Sequence, residues 1–158
     1  MALAESLGRK LREKGASLVI AESCTGGWAA QAVTAIAGSS EWFERGFVTY
    51  SNAAKEEMLG VQPPTLERYG AVSEETAREM ALGALERSRG SIALAITGIA
   101  GPGGGSEAKP VGTVCFAWAG RTGAVRSETR RFAGGREAVR RQSVEHALAG
   151  ALRHLDSA

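Results

Sequence analysis

The pattern that most constrains the fold is a short apolar run followed closely by two glycines and a helix-compatible segment. Residues 18–21 are apolar, rich in branched side chains and bounded by polar residues, which is typical of a buried strand. The chain then passes Gly26 and Gly27 and enters an alanine-rich segment that predicts a helix ending near Ala37, before Gly38. A strand, a turn and a helix in this order form the first unit of a layered α/β fold.

Further elements are predicted from capping residues and from the spacing of apolar side chains. Ser73 is placed to cap a helix whose first turn carries Glu74 and Glu75, and apolar residues then follow at helical spacing. Other helices are predicted within residues 1–16, over 53–59 with Asn52 as the cap, and from about 136 to 155. Further strands are predicted over residues 46–51, 92–96, 112–118 and 124–132.

The order of these elements predicts the architecture. The last two strands are separated by an Arg-Thr-Gly turn and are expected to form a hairpin, and Pro63 and Pro64 are expected to break the chain. Strands that alternate with helices and end in a hairpin indicate a mixed sheet. We therefore expect one α/β domain over residues 1–158, with a sheet of about five strands flanked by helices in α/β/α layers.

Composition and charge exclude several classes of function. A chain of 158 residues with 44% hydrophobic side chains can bury the core of one domain. Its net charge of +2, from 19 basic and 17 acidic residues, is too small to attract nucleic acid by bulk electrostatics. No run approaches the roughly twenty apolar residues of a membrane span. Cys24 and Cys115 lack metal-ligand spacing, so we expect no metal, no cofactor, no membrane partner and a reducing, cytoplasmic setting.

The turn after the first strand is a candidate nucleophile site. It reads Ala-Glu-Ser-Cys-Thr-Gly-Gly over residues 21–27. A serine at a sharp strand-to-helix turn can expose its hydroxyl while the following N–H groups, from Cys24 to Gly27, form an oxyanion hole. The two alternatives are that Ser23 or Thr25 caps the helix, or that Cys24 is an activated nucleophile. Because neighbouring side chains at a tight turn diverge, only one of Ser23 and Cys24 is expected to face a substrate.

A serine nucleophile needs a base, and lysine is the candidate. Both histidines lie in the last predicted helix, where the position of His146 relative to the apolar stripe predicts a solvent-facing side chain. The only aspartate is Asp156, so a Ser-His-Asp triad is not expected. Lys55 follows the second strand among small residues and can act as a base if burial lowers its pKa. Tyr50 lies near the same sheet edge, either as a partner of this lysine or as a half-buried strand residue.

Two segments are candidates for binding an anion or a ribose. The loop that begins at Thr97 and Gly98 is too rich in glycine and proline to be regular structure, and it lacks the spacing of a P-loop. The start of the last helix, which carries Arg136, Arg140 and Arg141, combines a helix N-terminus with cationic side chains. Surface ion pairing is the alternative for all three arginines.

Four long motifs give the chain a family resemblance. They are AESCTGG, GSSEWFERGFVTYSNAAKEEMLGV, GAVSEETAREMA and TGIAGPGGGSEAKPVGTVCFAW. Together they resemble the CinA C-terminal domain family over residues 7–152. Stand-alone members of that family are nicotinamide mononucleotide amidases of the PncC type, which release ammonia and nicotinic acid mononucleotide in pyridine nucleotide salvage. The resemblance implies a Ser/Lys hydrolase that acts on a small nucleotide, with a silent nucleotide-binding module or an amidase for another small amide as the alternatives.

The resemblance also implies roles for individual residues. The family's catalytic serine and lysine correspond to Ser23 and Lys55, and a supporting tyrosine corresponds to Tyr50. The substrate-binding positions that follow from it are Thr25, Gly26, Gly27, Thr97, Gly98 and one of Arg140 and Arg141, which the sequence does not separate. A homo-oligomer, with a dimer favoured, is expected from apolar residues at 42 and 43 that are predicted to be exposed.

Overall fold

The computed structural model describes residues 2–157, and its centre is a five-stranded sheet with the order β2-β1-β3-β4-β5. β1 pairs in parallel with both β2 and β3, whereas β3–β4 and β4–β5 are antiparallel. The prediction of a mixed sheet of about five strands is therefore confirmed. The strands are β1 (Leu18–Glu22), β2 (Phe43–Val48), β3 (Ile92–Gly98), β4 (Thr113–Gly120) and β5 (Val125–Arg131).

Within the described part of the chain, six α-helices cover the two faces of this sheet and complete the α/β/α layers. The first, second and last helices share one apolar core with the sheet, and the three middle helices share the other. A short 3₁₀ helix over Ser39–Glu41 leads into β2. The helices are α1 (Ala2–Lys14), α2 (Trp28–Thr34), α3 (Asn52–Leu59), α4 (Pro63–Tyr69), α5 (Glu74–Glu86) and α6 (Arg136–Ser157). No helix of residues 2–157 is both long and apolar enough to span a membrane.

The alternation of side chains along β1 explains why its run is continuously apolar. Leu18 and Ile20 lie in the core shared with α1, α2 and α6, whereas Val19 and Ala21 lie in the core shared with α3, α4 and α5. Successive side chains of a strand point to opposite faces, and both faces of this central strand are covered. A continuous apolar run is what such a doubly buried strand requires.

Three local predictions were wrong for reasons of local chemistry. Pro63 and Pro64 open α4 rather than only breaking the chain, because proline at the first helical positions lacks an N–H that would be unpaired there. Ser51, and not Asn52, caps α3 by accepting from the N–H of Ala54 at 3.0 Å. β2 begins at residue 43 and ends at Val48, earlier than the predicted strand.

The predicted interface residues 42 and 43 are not an exposed apolar pair. Trp42 is only 2% exposed and Phe43 is half-buried. Trp42 packs so closely on Gly8 of α1 that a side chain at Gly8 would meet the indole ring at 2.7 Å. The tryptophan is therefore part of the core beneath α1, and the expectation of an oligomer loses this support.

His146 also differs from its prediction, because it does not face solvent. Its ring is half-buried against Phe116, with ring centroids 4.6 Å apart, and its Nε2 lies 2.7 Å from Glu128 Oε2. The helix that carries it packs on both α1 and the sheet, so it has two buried faces where the prediction assumed a single stripe. Burial lowers the pKa of His146, although the Glu128 carboxylate acts in the opposite direction.

Candidate active site

Three loops meet at the edge of the sheet where the parallel strands end. Ser23 follows β1 and Tyr50 lies two residues beyond β2. Thr97 and Gly98, predicted to begin the glycine-rich loop, are instead the last two residues of β3, because they pair with Cys115 and Val114 of β4. In open α/β sheets this carboxyl edge is the usual place for ligands. A cavity of about 160 Å³ opens there, and its lining includes Ser23, Tyr50, Lys55, Thr97, Gly98 and Arg136.

Lys55 and Ser23 form the central contact of this cavity. Lys55 extends from α3, which packs on one face of the sheet, and its side chain is only 1% exposed. Its Nζ lies 3.0 Å from Ser23 Oγ, 3.0 Å from the carbonyl oxygen of Thr49 and 3.3 Å from that of Tyr50. None of these three partners is a carboxylate. Burial lowers the pKa of Lys55 below its ordinary value of 10.5.

The neutral amine, which the lowered pKa of Lys55 favours, can serve all three partners. A neutral amine has two N–H donors and one lone pair, whereas an ammonium has three donors and no acceptor. The carbonyls of Thr49 and Tyr50 can take the two N–H groups, which leaves the lone pair for the hydroxyl of Ser23. The geometry thus suits a base that receives a proton from the serine.

The chain from Ser23 to Gly27, hereafter called the nucleophile turn because it carries the candidate nucleophile Ser23, depends on its glycines. Gly26 has φ 58° and Gly27 has φ 108°, both in the left-handed region that side chains other than that of glycine rarely adopt. Gly27 is the N-cap of α2 and has no side chain to cap it. The two predicted capping residues, Ser23 and Thr25, do not cap α2 either.

Glu22 supplies the missing cap from the end of β1. Its carboxylate is 1% exposed and accepts from the N–H of Ala29 at 2.8 Å and of Ala30 at 3.0 Å. It also accepts from the Thr25 hydroxyl at 2.6 Å. A carboxylate suits the positive N-terminal end of a helix. Glu22 therefore ties β1, the nucleophile turn and α2 together.

Cys24, the rival candidate nucleophile, lies beside Ser23 and belongs to the core. It is 6% exposed and packs within the apolar cluster beneath α2 and α6. Burial raises the pKa of its thiol to about 12, so the reactive thiolate is scarce near neutral pH. Both Ser23 and Cys24 line the cavity, so the burial of Cys24 and the raised pKa of its thiol, and not its absence from the cavity, favour Ser23 as the candidate nucleophile.

The backbone of the nucleophile turn offers hydrogen-bond donors. In the part of the chain that the structure describes, the N–H groups of Cys24 and Thr25 donate to no protein acceptor, whereas Gly26 N donates to the Ser23 carbonyl at 3.0 Å. Unused N–H groups next to a serine hydroxyl are the donors that an oxyanion needs. The Thr25 hydroxyl is fully buried and donates to Glu22, so the donor of Thr25 that stays unused is its backbone N–H.

The far wall of the cavity is built by β3 and by the first residue of α6. Thr97 is 1% exposed and its hydroxyl donates to the Ala71 carbonyl at 2.8 Å, which ties β3 to the segment before α5. Arg136 donates to the Gly101 carbonyl at 2.8 Å and to the Tyr50 hydroxyl at 3.2 Å. Tyr50 is 62% exposed, so this arginine–tyrosine pair stands at the mouth of the cavity.

The arginines of α6 separate clearly in the structure. Arg140 donates from Nε to the Cys24 carbonyl and from Nη2 to the Thr25 carbonyl, both at 3.1 Å. Arg141 is half exposed and lies 3.7 Å from Glu145, so the structure does not bring it to the cavity. The sequence reasoning placed Arg136 within the cationic start of the last helix without separating it from its neighbours, and it gave no site role to Glu22. The four-residue spacing of Arg136 and Arg140, which places both on one helical face, was the available signal for the former.

Comparison with known proteins places the chain in a family. The model of the CinA C-terminal domain matches residues 1–155. A curated relative from Escherichia coli (strain K12), named nicotinamide-nucleotide amidohydrolase PncC, is 56% identical over 148 residues, which are 94% of this chain and 90% of that protein. A relative of the same name from Pseudomonas putida is 53% identical over 150 residues, which are 95% of this chain and 93% of that protein.

A solved structure leads to the same assignment. The competence/damage inducible protein CihA from Agrobacterium tumefaciens is 49% identical, has a TM-score of 0.95, and the match covers 98% of this chain and 94% of that one. The family match over nearly the whole chain, the identity to full-length relatives and the shared fold agree. The chain belongs to the CinA C-terminal domain family.

Proposed function

We propose that this chain is an amidohydrolase that converts nicotinamide mononucleotide to nicotinic acid mononucleotide and ammonia, in pyridine nucleotide salvage, by a Ser23/Lys55 mechanism. Relatives that are 53–56% identical over at least 94% of its length are named nicotinamide-nucleotide amidohydrolases. The observation that carries the proposal is the 3.0 Å contact between Lys55 Nζ and Ser23 Oγ at the carboxyl edge of the sheet. A nucleophile and a base within hydrogen-bond reach are what acyl transfer requires.

The acylation step begins with Lys55 as the neutral amine. It takes the hydroxyl proton of Ser23 as the oxygen attacks the amide carbon, and the N–H groups of Cys24 and Thr25 receive the developing oxyanion. Lys55 then returns this proton to the amide nitrogen. The carbon–nitrogen bond breaks, ammonia leaves, and an ester between the substrate acyl group and Ser23 remains.

The deacylation step uses the same groups in reverse. Lys55, again neutral, takes a proton from a water molecule that attacks the ester carbon, and the serine oxygen leaves with that proton. Nicotinic acid mononucleotide is released and the enzyme returns to its starting state. One base thus serves both halves of the reaction.

The size of the cavity decides how the substrate lies. Sites that enclose a whole drug-sized ligand usually measure about 300–1,000 Å³, whereas this cavity measures about 160 Å³. The space beside Ser23 therefore takes the pyridine ring and its carboxamide, and the ribose phosphate extends to the mouth. Arg136 stands at that mouth with an exposed side chain and is the cation that we assign to the phosphate.

The test is ammonia release from nicotinamide mononucleotide by the wild type, Ser23→Ala and the adjacent control Cys24→Ala. We expect turnover by the wild type and by Cys24→Ala, and no turnover by Ser23→Ala, which should still bind the nucleotide in calorimetry. Binding without turnover by all three proteins would instead indicate a binding module. Turnover by Ser23→Ala together with its loss in Cys24→Ala would move the nucleophile to the thiol.

A further inference from the structure

Arg140 makes a contact that a substrate-binding arginine does not need. It lies on α6 in the second helical turn, and its Nε and Nη2 donate to the carbonyls of Cys24 and Thr25, each at 3.1 Å. Its guanidinium also stacks over the ring of Trp28, 5.4 Å from the ring centroid. The Nε–Nη2 edge is one that would otherwise bind a phosphate with two parallel hydrogen bonds. In this structure that edge is occupied by the nucleophile turn.

These two hydrogen bonds fix the orientation of the peptide groups in the turn. In a trans peptide the carbonyl and the N–H point in opposite directions. A guanidinium that holds the Cys24 carbonyl therefore turns the N–H of Thr25 away from Arg140, and its positive charge polarises that N–H. The next peptide is held at both ends, because its Thr25 carbonyl accepts from Arg140 and from Trp28 N while its Gly26 N–H donates to the Ser23 carbonyl.

Ser23 N donates to the Ile96 carbonyl at 2.9 Å and Trp28 N donates to the Thr25 carbonyl at 3.0 Å, whereas among the described residues the Cys24 carbonyl accepts from Arg140 alone. Glu22 holds the turn through the Thr25 side chain and the N-terminus of α2, but its carboxylate accepts from no backbone group of residues 23–27. Gly26 and Gly27 have the widest backbone freedom of any residue type. A β-carbon at Gly26 would lie 3.6 Å from Arg140 Nη2, which shows how closely the guanidinium follows the backbone.

We propose that Arg140 is a positioning residue that, by holding the Cys24 carbonyl, aims the N–H of Thr25 at the reacting carbonyl, and that it is not the phosphate ligand. The proposal rests on the proposed amidohydrolase function and deepens it. Arg136, one helical turn earlier on the same face, is left as the arginine that meets the substrate phosphate. The two arginines thus divide two tasks, transition-state stabilisation and phosphate binding.

Two substrates that differ only in the phosphate separate these tasks. Arg140→Ala is assayed for ammonia release from nicotinamide mononucleotide and from nicotinamide riboside. Since small displacements of catalytic groups cost on the order of 100-fold in rate, we expect kcat to fall by about that factor on both substrates, with KM for the mononucleotide little changed. Arg136→Ala should instead raise KM for the mononucleotide and leave the riboside nearly unaffected. Arg153→Ala, a surface arginine on the same helix, should match the wild type.

The opposite outcome would overturn the proposal: a loss in Arg140→Ala that is confined to the phosphorylated substrate marks a phosphate ligand. Guanidinium ion added to Arg140→Ala should restore part of kcat, which general damage to the fold would not allow. An equal loss of kcat on the two substrates without any rescue by guanidinium also counts against the proposal. If Arg140→Ala fails to fold, Arg140→Lys provides the same substrate comparison, because a lysine cannot hold both carbonyls with one planar edge. A wild type that is inactive on both substrates refutes the amidohydrolase function instead.

Discussion

Replacing Glu22 tests how the fold builds the nucleophile turn. Its carboxylate serves three donors: the Thr25 hydroxyl, the N–H of Ala29 and the N–H of Ala30. In Glu22→Ala the Thr25 hydroxyl and the N–H of Ala29 lose their acceptor in buried positions. The N–H of Ala30 is only partly buried and can instead donate to water. A buried donor left without a partner costs about 1–3 kcal/mol. Two such donors place the expected loss of unfolding free energy at about 4 kcal/mol.

The control is the isosteric variant Glu22→Gln. Its single amide oxygen has two lone pairs and can still accept from Thr25 and Ala29, but its NH₂ group then faces the N–H of Ala30. We therefore expect a smaller loss, of about 1–2 kcal/mol, since the unmatched donor is only partly buried.

Urea denaturation and thermal melting measure these differences. For a chain of this length each kcal/mol moves Tm by about 2–4 °C, so Glu22→Ala should melt roughly 8–16 °C below the wild type. Both variants should also lose activity, because the turn that carries Ser23 is held through Glu22. A loss below about 1 kcal/mol in Glu22→Ala, or equal losses in the two variants, would refute the account of this carboxylate as the cap of α2.

Further predictions concern the base, the turn and the mouth of the cavity. The pKa of Lys55 is lowered in the fold. We therefore expect kcat/KM to rise about tenfold per pH unit up to that pKa and then to level off. A pH–rate series that is flat, or that rises only near 10.5, would contradict this. Between the folded pKa of Lys55 and 10.5, the unfolded chain binds more protons at this residue than the folded chain does. The contribution of Lys55 therefore makes the free energy of unfolding increase with pH in that range. Thermal melting of Lys55→Met and of the wild type over this pH range checks this, and the same pH dependence in both proteins would count against it. Gly27→Ala forces a side chain into φ 108°, so we expect a lower Tm and at least a tenfold drop in kcat; wild-type kinetics would show that the turn tolerates the strain. Tyr50→Phe removes the hydroxyl that holds Arg136 but keeps the carbonyl that Lys55 contacts, so KM should rise with little change in kcat.

Much of the fold was predictable because it depends on local patterns. The doubly buried strand β1, the cap at Ser73 and the hairpin of β4 and β5 each carry a signal within a few consecutive residues. His146 was mispredicted because its environment depends on tertiary packing: α6 packs on α1 and on the sheet at once. A single hydrophobic stripe contains no information about a second partner.

Part of the candidate site was likewise predictable from the sequence, and part was not. Ser23 and Lys55 stand out because each follows a strand that ends at the same sheet edge, so topology alone brings them close. The division between Arg136, Arg140 and Arg141 depends on which carbonyls and hydroxyls surround each guanidinium, and neighbouring positions on a helix do not reveal that. The role of Glu22 was also hidden, because its partners at Ala29 and Ala30 are brought to it by the glycine turn.

The most direct test of the central claim is a double-mutant cycle on ammonia release from nicotinamide mononucleotide, with Ser23→Ala, Lys55→Met and the double variant. Residues that act as one unit are strongly non-additive. If Lys55 activates Ser23 across their 3.0 Å contact, each single variant should lose nearly all turnover and the double variant should be no worse than either. Losses that multiply, or a Lys55→Met enzyme that keeps most of the wild-type rate, would show that the two residues do not form the catalytic pair.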